Sequence, residues 1–380
     1  MFGSNTSFFY QTMKRFVLAA VSSLIILDIM KTYKIAVIPG DGIGPEIIPV
    51  GLGVLEAAAV HHHFKLDICN FPWGAGYYQE HGVFLPEEGL ETLKAFDGLY
   101  FGAVGLPDVD DTLPAKCFTF LIRVAFDQYV NYRPSRLMKG VSGPLRNKSP
   151  RDIDFVVIRE NTEGEFVQAG SFIKPDTSEG LAVETSIFTR KGIERIAHYA
   201  FQLAQRRRKK LTNVTKSNTL IHSLAYWDRI IEETAPSYPD VAYEKLYVDN
   251  ASANFVLRPE RFDVILTTNF IGDILSDLGG AIMGSLGLGA SGNINPDRRF
   301  PSMFEPIHGS APDIAGQNIA NPIGAIWSGA LLLEHFQETE AAHRIVRAIE
   351  RTLEADILPV DLGGIATTTE IGKAVIDRLR

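Results

Sequence analysis

Asp273 and Asp277 stand four residues apart in TTNFIGDILSDLGGAIMGSLG (267–287), a run of small and apolar residues with helical spacing. That spacing puts both carboxylates on one face of a helix, where like charges repel mildly in water and strongly when buried. Two arrangements relieve the repulsion. Both acids can point into water near the helix start, where the dipole favours them. Alternatively they share a divalent cation, since Mg2+ and Mn2+ take hard carboxylate oxygens and fill their shells with substrate and water. Lys216 in NVTKSN and Asp249 in LYVDNAS each close a β-like run, and ligands in parallel-sheet folds gather at the carboxyl ends of strands. A lysine there is either a solvent cation or a base whose pKa falls beside other buried cations. Arg123 and Arg133 in LIRVAFDQYVNYRP and Arg159 in VVIREN lie in or beside apolar runs. Singly, each can snorkel to the surface; converging, they would clamp a dicarboxylate through paired N–H donors. PGDGIGPE (39–46) follows a strand and opens a helix, but Pro45 occupies the third glycine place of a dinucleotide-binding G-x-G-x-x-G. It reads equally as a tight turn or a ligand loop.

These residues need a scaffold, and the sequence supplies an α/β pattern. YKIAVIP, FKLDICNF, GLYFGAVG, DFVVIRE, KLTNVTKSN, AYEKLYVD and FDVILTTN are strand-like and bracket helical runs. In IERIAHYAFQLAQ, Ile193, Ile196, Ala197, Ala200, Phe201 and Ala204 form one apolar stripe. The alternation predicts a largely parallel sheet. Residues 296–321, rich in Gly, Pro, Ser and Asn, read as a long functional loop. The length of 380 residues suits two domains, and a net charge of −8 argues against a general nucleic-acid role. RRRKK (206–210), the one basic cluster, reads as a solvated helix end. Cys69 and Cys117 give neither a disulfide framework nor metal spacing, which fits a reducing, cytoplasmic setting. MKRFVLAAVSSLIILDI is short for a membrane span and lacks a signal-cleavage site. Residues 1–29 therefore read as an extension outside the fold, with Met30 as the natural start.

From about Lys31 onward the chain resembles the β-decarboxylating dehydrogenases, the isopropylmalate and isocitrate dehydrogenases with their tartrate and D-malate relatives. PGDGIGPE, IREN-TEGE, TKSN, FDVILTTNFIGDILSDLGG, NINPDRRFPSMFEPIHGSAPDIAG and IANPIGAIWSGALLLEH occur in the family's order, and FPWGAGYY and QYVNYRPSRL look like the tartrate and D-malate branch. The resemblance implies an isopropylmalate dehydrogenase-like α/β fold of two domains around a cleft, not a true Rossmann fold. The first domain would join 31–126 to 283–380, and the second would span 127–282. It implies Mg2+ or Mn2+ held by Asp273, Asp277 and, from a second subunit, Asp249. Arg123, Arg133 and Arg159 match the residues that bind the substrate carboxylates. Lys216, again from the neighbour, matches the lysine that helps deprotonate the C2 hydroxyl. Glu305, His308, Gly309, Ser310, Ala311, Asp313, Ile314 and Asn321 match the NAD site, where Asp313 would accept from the ribose hydroxyls and repel a 2′-phosphate. A site shared in this way implies a homodimer.

Two departures bear on activity. Where the family carries a tyrosine that protonates C3 after CO2 leaves, this chain has Phe166, which keeps the ring and loses the proton. The stretch before the first arginine reads LPAKCFTFLIR (113–123) and lacks the tryptophan of the tartrate and D-malate branch. Two readings follow: an NAD-dependent dehydrogenase of a small 2-hydroxy diacid, or a weakly active or non-catalytic regulatory paralogue.

Overall fold

The computed structural model describes residues 30–379; the proposed extension, 1–29, lies outside them. Twelve strands form: β1 (Thr32–Gly40), β2 (Lys65–Asn70), β3 (Gly98–Ala103), β4 (Val130–Arg136), β5 (Asp154–Glu160), β6 (Gly164–Ile173), β7 (Leu181–Ile187), β8 (Lys210–Thr215), β9 (Ala242–Tyr247), β10 (Val264–Thr267), β11 (Ala290–Ile294) and β12 (Ser302–Pro306). Ten of them make one sheet in the order β2-β1-β3-β12-β11-β4-β5-β10-β8-β9. β2-β1-β3-β12 and β5-β10-β8-β9 are parallel wings. Antiparallel β11 and β4 join them. The parallel strands are continuous apolar runs because helices cover both faces. Ile35–Ile38, Val156–Ile158 and Val264–Leu266 are all buried.

The helices that matter for the site are α1 (Gly44–His62), α2 (Phe120–Ala125), α3 (Arg190–Arg206), α4 (Val248–Leu257), α5 (Asn269–Ile282) and α6 (Ile323–His335). α1 begins with Pro45 at its first turn, where the missing N–H costs nothing. Every residue of the expected stripe on α3 is buried. Before α2 the chain makes a helical turn and then a π turn over Ala115–Thr119, a wide coil that is frequent at functional sites.

Three sequence expectations change. The segment 296–321 is not all loop, because Ser302–Pro306 is a fully buried strand between β3 and β11. Its apolar MF pair completes a sheet interior that the flanking Gly and Pro residues hide. RRRKK is not simply solvated: Arg207 donates to Asp154 and Asp263, and Arg208 donates through its backbone N–H to the Asp263 carboxylate and through its guanidinium to the carbonyls of Asp154 and Phe262. Asp263 is 1% exposed, so it needs those donors. Finally, Asp249 follows the end of β9 and lies in the first turn of α4.

The turn PGDG ties three segments together. Gly40 and Gly42 have φ of 71° and 60°. A Cβ on Gly42 would lie 1.9 Å from the Ser310 carbonyl oxygen, so the turn requires glycine. The Asp41 carboxylate accepts from the backbone N–H groups of Ala75 (2.7 Å), Gly76 (2.9 Å) and Gly105 (3.0 Å). Asp41→Ala should therefore destabilise the protein by about 3 kcal/mol, since each orphaned N–H costs roughly 1–3 kcal/mol when dry. Urea unfolding would measure it, and a loss below about 1 kcal/mol would show that water replaces the carboxylate.

Candidate active site

Register brings the candidate residues to one edge. Thr267 of β10 lies beside Arg159 of β5 and Val214 of β8, and Thr215 of β8 lies beside Tyr247 of β9. Arg159, the start of α5, Lys216 and Asp249 thus occupy the carboxyl ends of neighbouring parallel strands.

Two buried arginines reach Asp273. Arg159, 2% exposed, donates through Nη1 to Asp273 and through Nε to Asn269 Oδ1 at 2.9 Å. It passes tightly against α5, because a Cβ on Gly272 would sit 2.7 Å from its Cβ and Cγ. Arg133 donates to Ser276 Oγ at 2.7 Å, and its Nη1 lies 3.6 Å from Asp273 and 3.4 Å from Asp277. The acids are half-exposed where the arginines are buried, so they face away from the core with oxygen left for another partner.

The electrostatics separate the two acids. Burial raises the Asp273 carboxyl, but Arg159 and Arg133 outweigh it and hold the group below the ordinary value. Burial and the neighbouring Asp273 push Asp277 above it, against Arg133. Desolvation and the mutual repulsion with Arg133 depress Arg159 to about 9.

Arg123 turns elsewhere, donating to Glu305 Oε1 at 2.8 Å; Asn293 donates to the same oxygen at 2.7 Å. Glu305 is thereby a buried partner of Arg123. Lys216 donates to Asp249 at 2.6 Å, and this hydrogen bond holds Asp249 below its ordinary value. Among the described residues of one chain, no three His, Cys, Asp or Glu side chains gather as a metal site. Asp273 and Asp277 alone offer two hard, open carboxylates on one face.

Phe166 lies in the site. Its ring is 5.6 Å from the Arg159 guanidinium and 5.6 Å from the Phe120 ring, with Phe270 beside it at 6.0 Å. Phe120 in turn covers Arg123 at 5.5 Å. The sequence reading missed Phe120, although its place three residues before Arg123 on a helix was a signal. Glu46 was missed too: its carboxylate accepts from the N–H groups of Gly316 and Asn318.

The loop 308–316 lies over the PGDG turn, with Ile43 N–H donating to the Ser310 carbonyl at 2.8 Å. Gly309, Ser310 and Pro312 face Val104–Pro107 and Ala115 across a cleft of about 410 Å3. His308 Nε2 is buried with no partner among the described residues, and burial lowers the ring's pKa. Ala311 and Ile314 are partly buried against the core, and Asp313 is exposed. Asn321 is buried and accepts from Ile323 N–H at 2.9 Å while donating to Asp361 at 3.1 Å. The open cleft, the orphan imidazole nitrogen and the exposed acid suit a polar ligand with hydroxyls.

Residues 34–375 match the isocitrate/isopropylmalate dehydrogenase family. A probable tartrate dehydrogenase/decarboxylase of Agrobacterium vitis is 49% identical over 352 residues, 92% of this chain and 98% of that protein. The D-malate dehydrogenase (decarboxylating) of Escherichia coli is 48% identical, over 91% of this chain and 98% of its own. The crystal structure of isocitrate dehydrogenase from Methylococcus capsulatus superposes with a TM-score of 0.82 at 37% identity, covering 92% of this chain and 99% of that one.

The acid pair should respond oppositely to neutralisation in chelator-treated protein. Asp273, with its lowered pKa, contributes stability above the unfolded carboxylate value and loses it as pH falls through its own. Asp277, with its raised pKa, is unfavourable when ionised and is relieved as pH falls. At pH 7, Asp273→Asn should cost roughly 1–2 kcal/mol, discounted from a fully buried pair because the acid is half-exposed. Asp277→Asn should raise the melting temperature. Thermal melts at pH 7 and pH 4 check the signs: the Asp277→Asn gain should shrink as pH falls, whereas the Asp273→Asn loss should largely persist at pH 4, which lies above that group's lowered value.

Proposed function

The chain belongs to the isocitrate/isopropylmalate dehydrogenase family, and from that premise we propose that it oxidises a small 2-hydroxy diacid of the D-malate or tartrate kind. NAD+ would accept the hydride, and Mg2+ or Mn2+ would serve as the metal. The observation that carries this reading is the convergence of buried Arg133 and Arg159 on Asp273, with Asp277 alongside. Two fixed cations and two open carboxylates suit an anionic substrate chelated to a hard cation.

In this reading Arg123, Arg133 and Arg159 bind the substrate carboxylates. Asp273 and Asp277, with Asp249 of a second copy, would hold the metal, which when bound supplies Lewis-acid polarisation of the C2 oxygen. The loop from His308 to Gly316, with Asn321, receives the cofactor, and Asp313 accepts from its ribose hydroxyls. Lys216 of the second copy would take the proton of the C2 hydroxyl, and the cofactor, when bound, would supply the acceptor for the C2 hydride. If the resulting 2-oxo diacid loses CO2, C3 of the enol must gain a proton. Phe166 has none to give, and its ring instead shields Arg159.

We read the seam between β11 and β4 as the boundary between a unit of 31–126 plus 283–380 and a unit of 127–282. The surface supports a dimer built on the second unit. Every residue of β7 is exposed, and a lone hairpin with both faces in water is marginal. Phe172 and Val183 on that hairpin, Leu257 on α4 and Phe270 and Ile274 on α5 are all exposed. A second copy would cover these faces and bring its Lys216 and Asp249 toward Asp273.

Purified protein with Mn2+, NAD+ and D-malate, tartrates or isopropylmalate should produce NADH, with pyruvate lagging NADH when D-malate is oxidised. Phe166→Tyr should raise pyruvate formation about 100-fold or more, the usual worth of a positioned acid. Folded dimer that makes no NADH with the panel, before or after Phe166→Tyr, would favour a regulatory paralogue, which the missing proton donor independently suits. Subunit sharing has its own check. Inactive Lys216→Ala and Asp273→Asn proteins, unfolded and refolded together, should regain activity, because one site of each mixed dimer is intact. No recovery would place Lys216 and Asp273 in the same site of one chain.

A further inference from the structure

A second groove, unconnected with the catalytic reading, runs between α3 and α6 on the opposite face of the sheet and encloses about 520 Å3. Tyr132 and Arg133 are successive residues of β4, so their side chains leave the strand on opposite faces. Arg133 reaches Ser276 on α5, whereas Tyr132 lines the groove together with Phe304. α3 contributes Tyr199 and Arg206, α6 contributes Glu334, and Arg298 comes from the turn after β11. The walls thus come from both sides of the β11–β4 seam, in a volume typical of small-molecule sites.

Its polar groups are left over from the fold. Neither the Tyr132 nor the Tyr199 hydroxyl has a hydrogen-bond partner among the described residues, and burial raises both pKa values so that both stay protonated. Arg207 and Arg208 are taken up by Asp154 and Asp263, but Arg206 has no such partner among the described residues. Arg298 donates only to the backbone carbonyl of His335. It also holds a left-handed backbone, φ 54°, which a non-glycine residue adopts at a cost. His335, lowered to about 4 by burial and Arg298, is neutral at pH 7. Arg207 also lines the groove but is neutralised by its acids, which leaves two guanidinium forks without an acid partner, two phenols and one carboxylate facing one cavity, with one net positive charge.

We propose that this groove binds a small carboxylate that also bears a hydrogen-bond donor, an amino or hydroxy acid. Arg206 and Arg298 take the ligand carboxylate, Glu334 accepts from its amino or hydroxyl group, and the tyrosine hydroxyls complete the shell. Aspartate, malate and succinate share one skeleton and differ in that donor, so they serve as probes.

Isothermal titration of the full, chelator-treated chain with L-aspartate, L-malate and succinate tests the proposal. Saturable binding of aspartate or malate, tighter than succinate, is expected, and the better of the two identifies the donor. Arg206→Gln, a change at an exposed position, should weaken it about 10-fold, the worth of one charge-assisted hydrogen bond. Tyr199→Phe should weaken it less, Glu334→Gln should erase the preference over succinate, and Arg159→Gln should leave it unchanged. Absence of saturable binding overturns the proposal. So does binding that survives Arg206→Gln and disappears in Arg159→Gln, which would belong to the front site. Because the readout is binding without metal or NAD+, neither result depends on whether the chain oxidises anything.

Discussion

A guanidinium at 2% exposure needs an anion, and the site is organised around meeting that need for Arg159. Its cost in a low-dielectric interior is offset by the Asp273 carboxylate and the Asn269 carbonyl oxygen. Both come from the first turns of α5, so the helix must enter where β5 ends. Gly272 lets it come close enough. Arg133, from the antiparallel strand beside β5, then shares the same acid and fixes Ser276 and Asp277. Neither arginine could be moved without stranding a charge. The acids that compensate them are also the acids left open on the outer side. Structural necessity and the proposed metal binding would therefore be two faces of one carboxylate pair.

The same logic explains why the sequence was readable in places and opaque in others. Central parallel strands announce themselves because they are buried on both faces, and IAVI, VVI and VIL are unbroken apolar runs. The i,i+4 acids on α5 were visible because the period is local. β4 and β11 were not, since NYRPSR and ASGNI alternate polar and small residues and gain their place only from neighbours distant in sequence. β7 and the second half of β6 are exposed on both faces, so no periodicity could mark that hairpin. Pairings such as Arg123 with Glu305, 182 residues apart, have no local signal at all. Sequence alone could not show whether the three arginines converge: Arg133 and Arg159 meet at Asp273, while Arg123 pairs with Glu305.

Asp41 illustrates a residue whose type was informative but whose job was not. A carboxylate between two left-handed glycines invites a phosphate-loop reading, yet an anion already occupies the place a phosphate would take. Asp41 itself satisfies three N–H groups from two segments, Ala75 and Gly76 in one and Gly105 in the other. A buried acid with three backbone donors is a clasp, and it closes the loops that carry Ala75 and Gly105 around the mouth of the cleft. The adjoining 308–316 loop, proposed to receive the cofactor, is supported by the same turn through Ile43.

Phe166 separates two functions that a tyrosine would combine. A phenyl ring keeps the cation–π contact with Arg159 and the packing against Phe120 and Phe270. What it lacks is one hydroxyl, hence one proton at one atom. In the proposed reaction, oxidation at C2 would draw on carboxylates, a lysine and a hydride acceptor, none of which that hydroxyl provides. Protonation at C3 draws on it directly. A chain that had lost all use for the site would have little reason to keep two arginines buried against half-open acids, because that arrangement is expensive in a folded interior. On the proposed reading, the buried charges and the missing hydroxyl favour an oxidising site in which the final proton would come from water, reaching C3 past the ring that Phe166 packs against Phe120.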